Sequence, residues 1–582
     1  MAETQSAEIM SRGARDLTDA YRRRVQVRDR LLDYYQDAAA LAGTRLARLS
    51  RPRPVTAAFG AFRVPDLEDA GQALTWVRAE RANLLACLEL VSRSGQHARV
   101  VALTGGVAAL LMRDGPWAEA VTYHDAAVAA ARYLGDRLGE TNALCDLGEA
   151  WLRLNNYPAA AEVMENALAI SRQQVNRLGE ANSLRRLGEV RLMTDDYPVA
   201  AEFLEEALGI YRDLGDRLGE SSAIRDLGVV RLLTGDYPGG TGLVEEGLRM
   251  CRDLGDRLGE ASALRVLGEV RRLTGDYQEA TRFLEEALGI CRDLGDRLGE
   301  ESALRVIGDV RQLTGDYPAA ARFLEEALGI CRDLGDRIGE ANALRVIGEV
   351  RQMTGDYPAA TRLVDESLRI CRDLGDRQGE ANALNVLGEL RRLTGDYPGA
   401  ATLLEEALGI CRDVGDRISE ANVLRVFGGV RLLAGDYPAA TRLLDECLGI
   451  CRDLGDRLGE ASALRSLGVM RRITGDWSGA AEFLDEALRI YRDLGDQQGE
   501  AETLNEKGTL HWARGDSAQA EACYQQALGL ARSIGSSRDE ARALAGASRC
   551  AMAAGRVAEA EVLQRQAQEI FRRIGAAETQ DA

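Results

Sequence analysis

The feature that most constrains this chain is an internal repeat with a period of 40 residues. The segment 264–277 recurs with small changes at 304, 344 and 384, and no insertion interrupts the period. A small residue recurs at every fortieth position from Ala120 to Ala560. A glycine keeps the same register at Gly148, Gly188, Gly228, Gly268, Gly308, Gly348, Gly388, Gly428, Gly468 and Gly508. Such self-similarity indicates about twelve stacked copies of one supersecondary unit, of which the first and the last are degenerate.

Within one copy, the sequence predicts two helices. Asp256 is placed to cap the first helix, and Gly275 is placed to end it in the left-handed conformation. Asp276 caps the second helix, which stops at Gly295. Most units carry a proline in the first turn of the second helix, where its missing N–H costs no hydrogen bond (Pro318, Pro358 and Pro398, for example). No segment alternates as a strand does.

The apolar residues of each predicted helix lie three or four positions apart and form one stripe. Leu264, Leu267 and Gly268 share a stripe on the first helix, and Leu284 and Ala287 share one on the second. A single hairpin cannot bury both stripes. We therefore expect the units to stack into a solenoid with a continuous core.

The repeat resembles the tetratricopeptide repeat (TPR). The resemblance rests on Leu-x-x-Leu-Gly at 264–268, Gly-Asp-Tyr at 275–277 and Ala-x-x-x-Leu-x-x-Ala-Leu at 280–288, and it covers about residues 100–575. The unit of 40 residues is longer than the usual 34 and lacks the closing proline, so it looks like a long-helix subtype. The resemblance implies an all-α fold, a right-handed α-solenoid of about twelve TPR-like helix hairpins with a short helical N-terminal module.

One repeated position departs from the TPR pattern. An arginine replaces the family's large aromatic residue three positions after the repeated glycine, and we expect its stem to be buried and its guanidinium to pair with a glutamate of the second helix. These arginines are Arg191, Arg231, Arg271, Arg311, Arg351, Arg391, Arg431 and Arg471.

Four segments follow from these patterns. We predict a basic helical N-terminal segment over 1–62, a helical lead-in over 63–103, a TPR superhelix over 104–575 and a flexible tail over 576–582. Residues 1–63 hold 12 arginines against 7 acidic residues, and one or two helices are predicted over 14–50.

The lead-in carries a second resemblance. The phrase at 73–85, Ala-Leu-Thr-Trp-Val-Arg-Ala-Glu-Arg-Ala-Asn-Leu-Leu, is similar to the segment that precedes the TPR array in AfsR-like regulators of actinomycetes, which are STAND (NB-ARC) signalling ATPases. The chain contains no G-x-x-x-x-G-K-[ST] motif, and Lys507 is its only lysine. The resemblance therefore implies the TPR sensor region of such a regulator, either free-standing or separated from its ATPase.

The charge and hydropathy of the chain restrict the kinds of partner that it can bind. The formal net charge is −19, which disfavours direct nucleic-acid and anionic-membrane binding because both need a cationic face. The sequence shows no run of 18 apolar residues and no secretory signal, so we expect a cytoplasmic protein.

The residues that could carry catalysis or bind metal do not form a constellation. Cys251, Cys291, Cys331, Cys371, Cys411 and Cys451 occupy one repeat position, which Tyr211 and Tyr491 hold in other units, so that position is a packing slot. The three histidines, His97, His124 and His511, fall in different units. We expect no catalytic residue, no metal and no cofactor.

The candidate binding face lies on the first helix of each unit. Ser262, Arg265, Glu269 and Arg272 are spaced by three and four residues and share one side, which lines the concave groove in TPR proteins generally. Asparagine can hydrogen-bond an extended backbone, and arginine can fork onto carboxylates. The predicted peptide-binding residues are Asn142, Asn182, Arg185, Arg225, Arg265, Glu269, Arg305, Asn342, Arg345, Glu349, Asn382, Asn385, Asn422, Arg425 and Arg465. The alternative is that they form i,i+4 surface pairs copied by recent duplication.

These observations favour a non-catalytic scaffold for protein–protein interaction. Its groove would bind an extended, acidic peptide segment of a partner, in bacterial signalling or transcriptional regulation. The alternatives are the sensor arm of an AfsR-like ATPase regulator acting in cis or in trans, a peptide-pheromone sensor and, least favoured, an enzyme. The partner is expected to be a protein or peptide, and its identity and the oligomeric state are left open.

Overall fold

Each 40-residue repeat folds into a hairpin of two helices. The computed structural model describes the backbone of residues 2–46, 65–194, 196–354 and 356–574, with side chains from residue 24 to 573. These described residues form 27 helices and no strand, which confirms the predicted all-α, TPR-type solenoid fold.

The N-terminal helices are α1 (Ala2–Leu46), α2 (Ala70–Ala79) and α3 (Arg81–Arg93). Twelve hairpins follow. Their helices are α4 (His97–Asp114), α5 (Trp117–Leu134), α6 (Arg137–Arg153), α7 (Tyr157–Gln173), α8 (Arg177–Met193), α9 (Tyr197–Leu214), α10 (Arg217–Leu233), α11 (Tyr237–Leu254), α12 (Arg257–Leu273), α13 (Tyr277–Leu294), α14 (Arg297–Leu313), α15 (Tyr317–Leu334), α16 (Arg337–Met353), α17 (Tyr357–Leu374), α18 (Arg377–Leu393), α19 (Tyr397–Val414), α20 (Arg417–Leu433), α21 (Tyr437–Leu454), α22 (Arg457–Ile473), α23 (Trp477–Leu494), α24 (Gln497–Ala513), α25 (Ser517–Ile534), α26 (Ser537–Ala553) and α27 (Val557–Ile574).

The helix ends lie where the sequence predicts them. The carboxylate of Asp256 accepts a hydrogen bond from the Gly259 N–H at 3.0 Å, and Asp276 accepts one from Glu279 at 3.2 Å. Gly275 and Gly295 have φ angles of 79° and 61°, a conformation that glycine adopts without strain. The predicted caps of α12 and α13 are therefore confirmed.

The glycine of each first helix permits a close approach to the second. A Cβ atom added at Gly268 would lie 2.6 Å from Cγ of Leu284, and one at Gly188 would lie 2.7 Å from Cγ of Leu204. Leu284 itself is fully buried. The recurring glycine thus marks where the two helices of a hairpin touch.

A buried glutamate joins each hairpin to the next one. Glu260 on α12 is only 4% exposed and accepts a hydrogen bond from Arg252 Nε on α11 at 2.8 Å, while Arg257 holds its other oxygen. We call this arrangement the glutamate staple. The same glutamate position is paired with arginine in eleven units, at Glu140, Glu180, Glu220, Glu260, Glu300, Glu340, Glu380, Glu420, Glu460, Glu500 and Glu540. For Glu140 and Glu180, burial works to raise the pKa, but the arginines outweigh it and hold the pKa below the ordinary value.

The arginines that replace the family's aromatic residue pair in two ways. Arg431 lies 3.2 Å from Glu405 and Arg351 lies 3.3 Å from Glu325, each on the second helix of the preceding hairpin. Arg191 and Arg311 make the same pair at longer distances, which confirms the expectation for these four residues. Three further arginines of this position pair instead with the aspartate that caps the following helix. These pairs are Arg231 with Asp236, Arg391 with Asp396 and Arg471 with Asp476.

The chain divides into two compact units, Met1–Asp226 and Leu227–Ala582. In the first unit, α1 packs on α4 through small residues, since a Cβ at Gly43 would lie 2.7 Å from the carbonyl oxygen of Gly106. Arg99 also pairs with Asp33 at 2.6 Å. The segment predicted as 1–62 therefore contains one long helix, while its residues 47–62 lie outside the described part. The predicted array boundary at 104 falls within α4. None of the described helices has the length and apolar character needed to cross a membrane.

Candidate functional site

The first helices of seven successive hairpins in the second unit line one cavity of about 690 Å³. It extends from Gln312 on α14 to Arg542 on α26. Asn385, Arg425 and Arg465 contribute to its wall from the register of Arg265. Part of the face selected from sequence therefore lies on this concavity, which we call the inner cavity.

The wall of the inner cavity is basic although the chain is acidic. Its charged residues are six arginines, Arg392, Arg425, Arg465, Arg472, Arg538 and Arg542, and three glutamates, Glu349, Glu389 and Glu506. The full chain carries a formal charge of −19. Apolar side chains, among them Val386, Val426 and Val469, lie between the charged ones. The wall thus combines a local positive charge with apolar contact surface.

Arg425 differs from Arg305 and Arg345 because its neighbour one turn away is a glycine and not a carboxylate. Arg345 pairs with Glu349, and Arg305 lies 3.8 Å from Asp309, in both cases four residues further along the helix. Gly429 takes that place after Arg425. Among the described residues, no carboxylate lies within 4 Å of the Arg425 guanidinium. This arginine therefore presents an uncompensated charge to the inner cavity.

The acidic groups of the wall are held by neighbouring arginines. Glu389 accepts hydrogen bonds from Arg392 at 2.5 and 2.7 Å. Burial works to raise the pKa of Glu506, but Arg542 and Arg472 hold that pKa below its usual value. Both carboxylates are thus partnered within the wall, and Arg465 pairs with Glu502 at 3.0 Å. Arg425 and Arg538 make no ion pair among the described residues, so the positive charge of the cavity rests mainly on them.

Two acidic residues further along the same face have strongly altered acidity. Burial raises the pKa of Glu301 to about 7 and that of Asp309 to about 6, with Arg305 opposing the shift in both cases. Glu301 occupies a slot that holds alanine in most repeats, for example Ala261 and Ala341. Both carboxyl groups of α14 therefore lose their protons closer to neutral pH than an ordinary carboxyl does.

The structure places the predicted site residues unevenly. Glu349, Asn385, Arg425 and Arg465 line the inner cavity, and the other eleven do not. Those eleven are Asn142, Asn182, Arg185, Arg225, Arg265, Glu269, Arg305, Asn342, Arg345, Asn382 and Asn422.

Two of the predicted arginines are already engaged in the first unit. Arg185 and Arg225 are buried and both hold Asp226, at 2.9 and 2.7 Å. Burial works to raise the pKa of Asp226, but these two guanidiniums keep it below the ordinary value. Asn182 accepts a hydrogen bond from the Tyr211 hydroxyl at 2.8 Å. The face of the first unit is therefore largely satisfied by internal contacts.

The prediction missed the arginines of the last hairpin. Arg538 and Arg542 belong to a degenerate unit, in which the repeat pattern is weak. The signal was present, however, because Arg542 stands in the register of Ser262. Continuing that ladder beyond Asn422 would have reached Arg542.

The cysteines occupy the packing slot expected from the repeat. Cys291 is buried, and a Cβ atom added at Gly299 would lie 2.7 Å from its Sγ. Burial raises the pKa of the Cys291 thiol to about 12, which makes it a poor nucleophile. All eleven cysteines are free thiols. Within the described ranges, no three His, Cys, Asp or Glu side chains are arranged to hold a metal ion.

Comparison with family models identifies the class of protein. The tetratricopeptide repeat model matches residues 98–173, 152–213, 220–293, 259–333, 299–373, 339–413, 419–493 and 499–573. These matches cover most of the chain, so the protein belongs to the tetratricopeptide repeat family. A search of curated proteins returns no significant match.

Several solved structures are similar in fold. A Rap protein complexed with competence and sporulation factor matches at 16% identity and a TM-score of 0.45, over 60% of this chain and 98% of that one. BtubC from P. vanneervenii matches at 19% identity and a TM-score of 0.32, over 40% of this chain and 94% of that one. A STAND protein with a tetratricopeptide repeat sensor from Pyrococcus horikoshii matches at 15% identity and a TM-score of 0.39, over 58% of this chain. The match spans 53% of that STAND protein, about half its length.

Proposed function

We propose that the protein is a non-catalytic scaffold whose inner cavity binds an extended acidic peptide segment of a partner protein. The observation that carries the proposal is the basic wall of the inner cavity, six arginines against three glutamates, in a chain of net charge −19. Because the rest of the chain repels anions, a cationic concavity directs an acidic ligand to one place.

Residue chemistry supports the same ligand. Arg425 offers a guanidinium without an ion pair among the described residues. Asn385 lines the same cavity and occupies the position of Arg425 in the preceding repeat. An arginine fork binds a carboxylate, and an asparagine amide can bind the donor and acceptor of a peptide backbone. Val386 and Val426 provide apolar contacts beside them.

The direct experiment measures peptide affinity by fluorescence anisotropy. The probe is a labelled 15-residue peptide of alternating glutamate and alanine, and a lysine–alanine peptide of equal length serves as the ligand control. We expect Arg425→Glu to weaken binding of the acidic probe by at least about tenfold, because it replaces an attraction by a repulsion. The triple change Arg265→Glu, Arg305→Glu and Arg345→Glu tests the rest of the predicted ladder.

A matched control is available on the second helices. Arg282, Arg362 and Arg442 are exposed and do not line the inner cavity, so their change to glutamate alters the net charge equally at another place. Equal loss of affinity in Arg425→Glu and Arg442→Glu would show that only overall charge matters. Undiminished binding in Arg425→Glu would refute the proposed site.

The biological setting is part of this proposal. We infer a role in bacterial signalling or transcriptional regulation, in the cytoplasm and without direct nucleic-acid or membrane binding, from the AfsR-like phrase at 73–85 and the acidic composition. A protein or peptide partner is supported by the family, since stacked repeats present extended concave binding surfaces.

A further inference from the structure

Two turns of the second unit contact helix starts that lie far along the chain. A Cβ atom at Gly275 would lie 3.1 Å from the backbone nitrogen of Gln497, and one at Gly315 would lie 2.7 Å from Cβ of Ser537. Both pairs are 222 residues apart. The Ser537 hydroxyl also donates to the carbonyl of Thr314 at 3.4 Å. We call these contacts the seam.

Two aromatic residues beside the seam are buried more deeply than their equivalents in most other hairpins. Tyr277 and Tyr317, which follow the two contacting turns, are 4% and 3% exposed. Their repeat equivalents Tyr437 and Trp477 are 43% and 45% exposed. At the same position Tyr197, Tyr237, Tyr357 and Tyr397 are half-buried, and Trp117 in the first hairpin is buried as well. Within the second unit, the deepest burial at this position thus coincides with the two turns of the seam.

The repeat sequence changes where the seam forms. The first residue of the first helix is arginine in nine successive hairpins from Arg137 to Arg457, and it becomes Gln497 and then Ser537. The turn at Gly235 belongs to the same series, and a Cβ there would meet nothing within 4 Å. The long arginine is thus absent at the two helix starts that approach another turn.

The seam makes fewer contacts than the packing within and between successive hairpins. Its contacts are turn glycines, one long hydrogen bond and a 3.8 Å approach of Arg538 to the sulfur of Met353. A few apolar residues add to them, since Ile534 shares an apolar cluster with Tyr277, and Leu544 shares one with Tyr317. Each hairpin, by contrast, is held by a buried apolar stripe and by a glutamate staple. Regions with few buried contacts open before the rest of a structure.

We propose that the seam is a clasp that closes the second unit around the inner cavity and opens without unfolding the hairpins. The closed clasp brings Gln312 and Met353, on α14 and α16, to the same cavity as Arg538 on α26. An extended ligand is then surrounded, and opening the clasp provides a lateral route of entry. Only this role in entry rests on the proposed function; the clasp itself does not.

Hydrogen exchange measured by mass spectrometry tests the clasp. We expect the turns around Gly275 and Gly315 to exchange at least about tenfold more slowly than those around Gly435 and Gly475. We also expect their exchange to depend less on urea than that of the hairpin cores, because opening the seam exposes less surface than unfolding a hairpin. Equal rates in the covered and uncovered turns, or a urea dependence equal to that of the cores, would overturn the proposal.

Variants separate the clasp from general stability. Gln497→Arg with Ser537→Arg restores the repeat arginine and is expected to bring the covered turns to the exchange rate of the uncovered ones. Arg457→Gln is the control. The turn at Gly235 lies 222 residues before Arg457, and a Cβ atom there would meet nothing within 4 Å, so this change should leave exchange unchanged. Protection that persists in the double arginine variant would contradict the clasp.

A crosslink gives an independent readout that needs no destabilising change. Thr314→Cys with Ser537→Cys is expected to form a disulfide on mild oxidation, detected by mass spectrometry, because a disulfide needs close Cα atoms. The control pair is Thr394→Cys with Ser537→Cys. Thr394 holds the repeat position of Thr314, but a Cβ at the following Gly395 would meet nothing within 4 Å, so this pair should not crosslink. Equal yields from the two pairs would overturn the closed state.

The same crosslinked protein tests ligand entry. With the glutamate–alanine probe, oxidation of the 314–537 pair should slow association by about tenfold relative to the reduced protein. An unchanged association rate would refute the role in entry. Failure of the reduced protein to bind the probe would instead refute the proposed function, and the exchange and crosslinking results would still decide whether the clasp exists.

Discussion

At the scale of single residues, one hairpin contains two kinds of glycine. One kind has no room for a side chain, and the other has open space beside it. Gly268 on α12 faces Leu284, and an added Cβ would lie 2.6 Å from its Cγ. Gly289 on α13 has nothing within 4 Å of an added Cβ. The first is required by packing, whereas the second only lowers helix propensity.

This contrast gives a matched pair of substitutions. We expect Gly268→Ala to lower the free energy of unfolding by about 1–3 kcal/mol through overpacking. We expect Gly289→Ala to raise it by about 0.5–1 kcal/mol through helix propensity. Equilibrium urea unfolding followed by circular dichroism measures both. Equal effects of the two changes would contradict the close approach at Gly268.

Glu301 leads to a prediction about pH. The pKa of its carboxyl is about 7 in the folded protein because of burial, compared with about 4.3 in an unfolded chain. Between these values the folded state holds a proton that the unfolded state has lost, so stability falls as pH rises from about 4 to 7. Replacing Glu301 by the alanine common in other repeats removes this loss.

We therefore expect Glu301→Ala to stabilise the protein at pH 8 by roughly 3 kcal/mol, and to have no such effect near pH 4. Urea unfolding at a series of pH values checks the prediction. Glu325→Ala, which changes an exposed carboxylate on α15, is the control and should show no comparable pH dependence. A stability difference that does not vary with pH would contradict the assigned pKa.

At the scale of helices, the glutamate staple explains how one hairpin is joined to the next. Glu380 on α18 accepts from Arg372 of α17 at 2.7 Å and from Arg377 at 2.5 Å. Its side chain is only 6% exposed, while both arginines are about half exposed. Removing the buried charge leaves two guanidiniums without their common acceptor.

We expect Glu380→Gln to lower the free energy of unfolding by about 2 kcal/mol, less than for a fully buried pair because water reaches the arginines. Glu405→Gln changes a carboxylate that is 60% exposed and pairs with Arg431 at 3.2 Å, so it should cost less than about 0.5 kcal/mol. Thermal unfolding of both variants distinguishes these values. A negligible effect at Glu380 would mean that the staple does not stabilise the array.

At the scale of the second unit, equivalent residues have different surroundings. Tyr317 is buried under the seam, whereas Tyr437 in the same repeat position is largely exposed. We expect Tyr317→Ala to lower the free energy of unfolding by about 3 kcal/mol and Tyr437→Ala by less than about 1 kcal/mol. Differential scanning calorimetry compares the two. Equal losses would show that the seam is open in solution.

The sequence predicted the parts of the site that depend on local spacing. The face bearing Arg425 and Arg465 could be selected because i, i+3 and i+4 residues share one side of a helix. The same reasoning could not distinguish Arg425 from Arg185, since both occupy one repeat position. Arg185 pairs with Asp226 at 2.9 Å, a contact made between different hairpins.

Sequence alone determined the hairpin, its caps, the apolar stripe that includes Gly268 and the side of the first helix that bears Arg425 and Arg465, because each depends on residues a few positions apart. Tertiary structure decided which hairpins close on one another, and therefore why Tyr317 is buried and how Arg538 reaches the inner cavity. The physical reason is that the path of a solenoid is the sum of small rotations between successive hairpins. The sequence of one repeat does not give this accumulated rotation. The contact between Gly315 and Ser537, which belong to distant hairpins, depends on all the rotations between them.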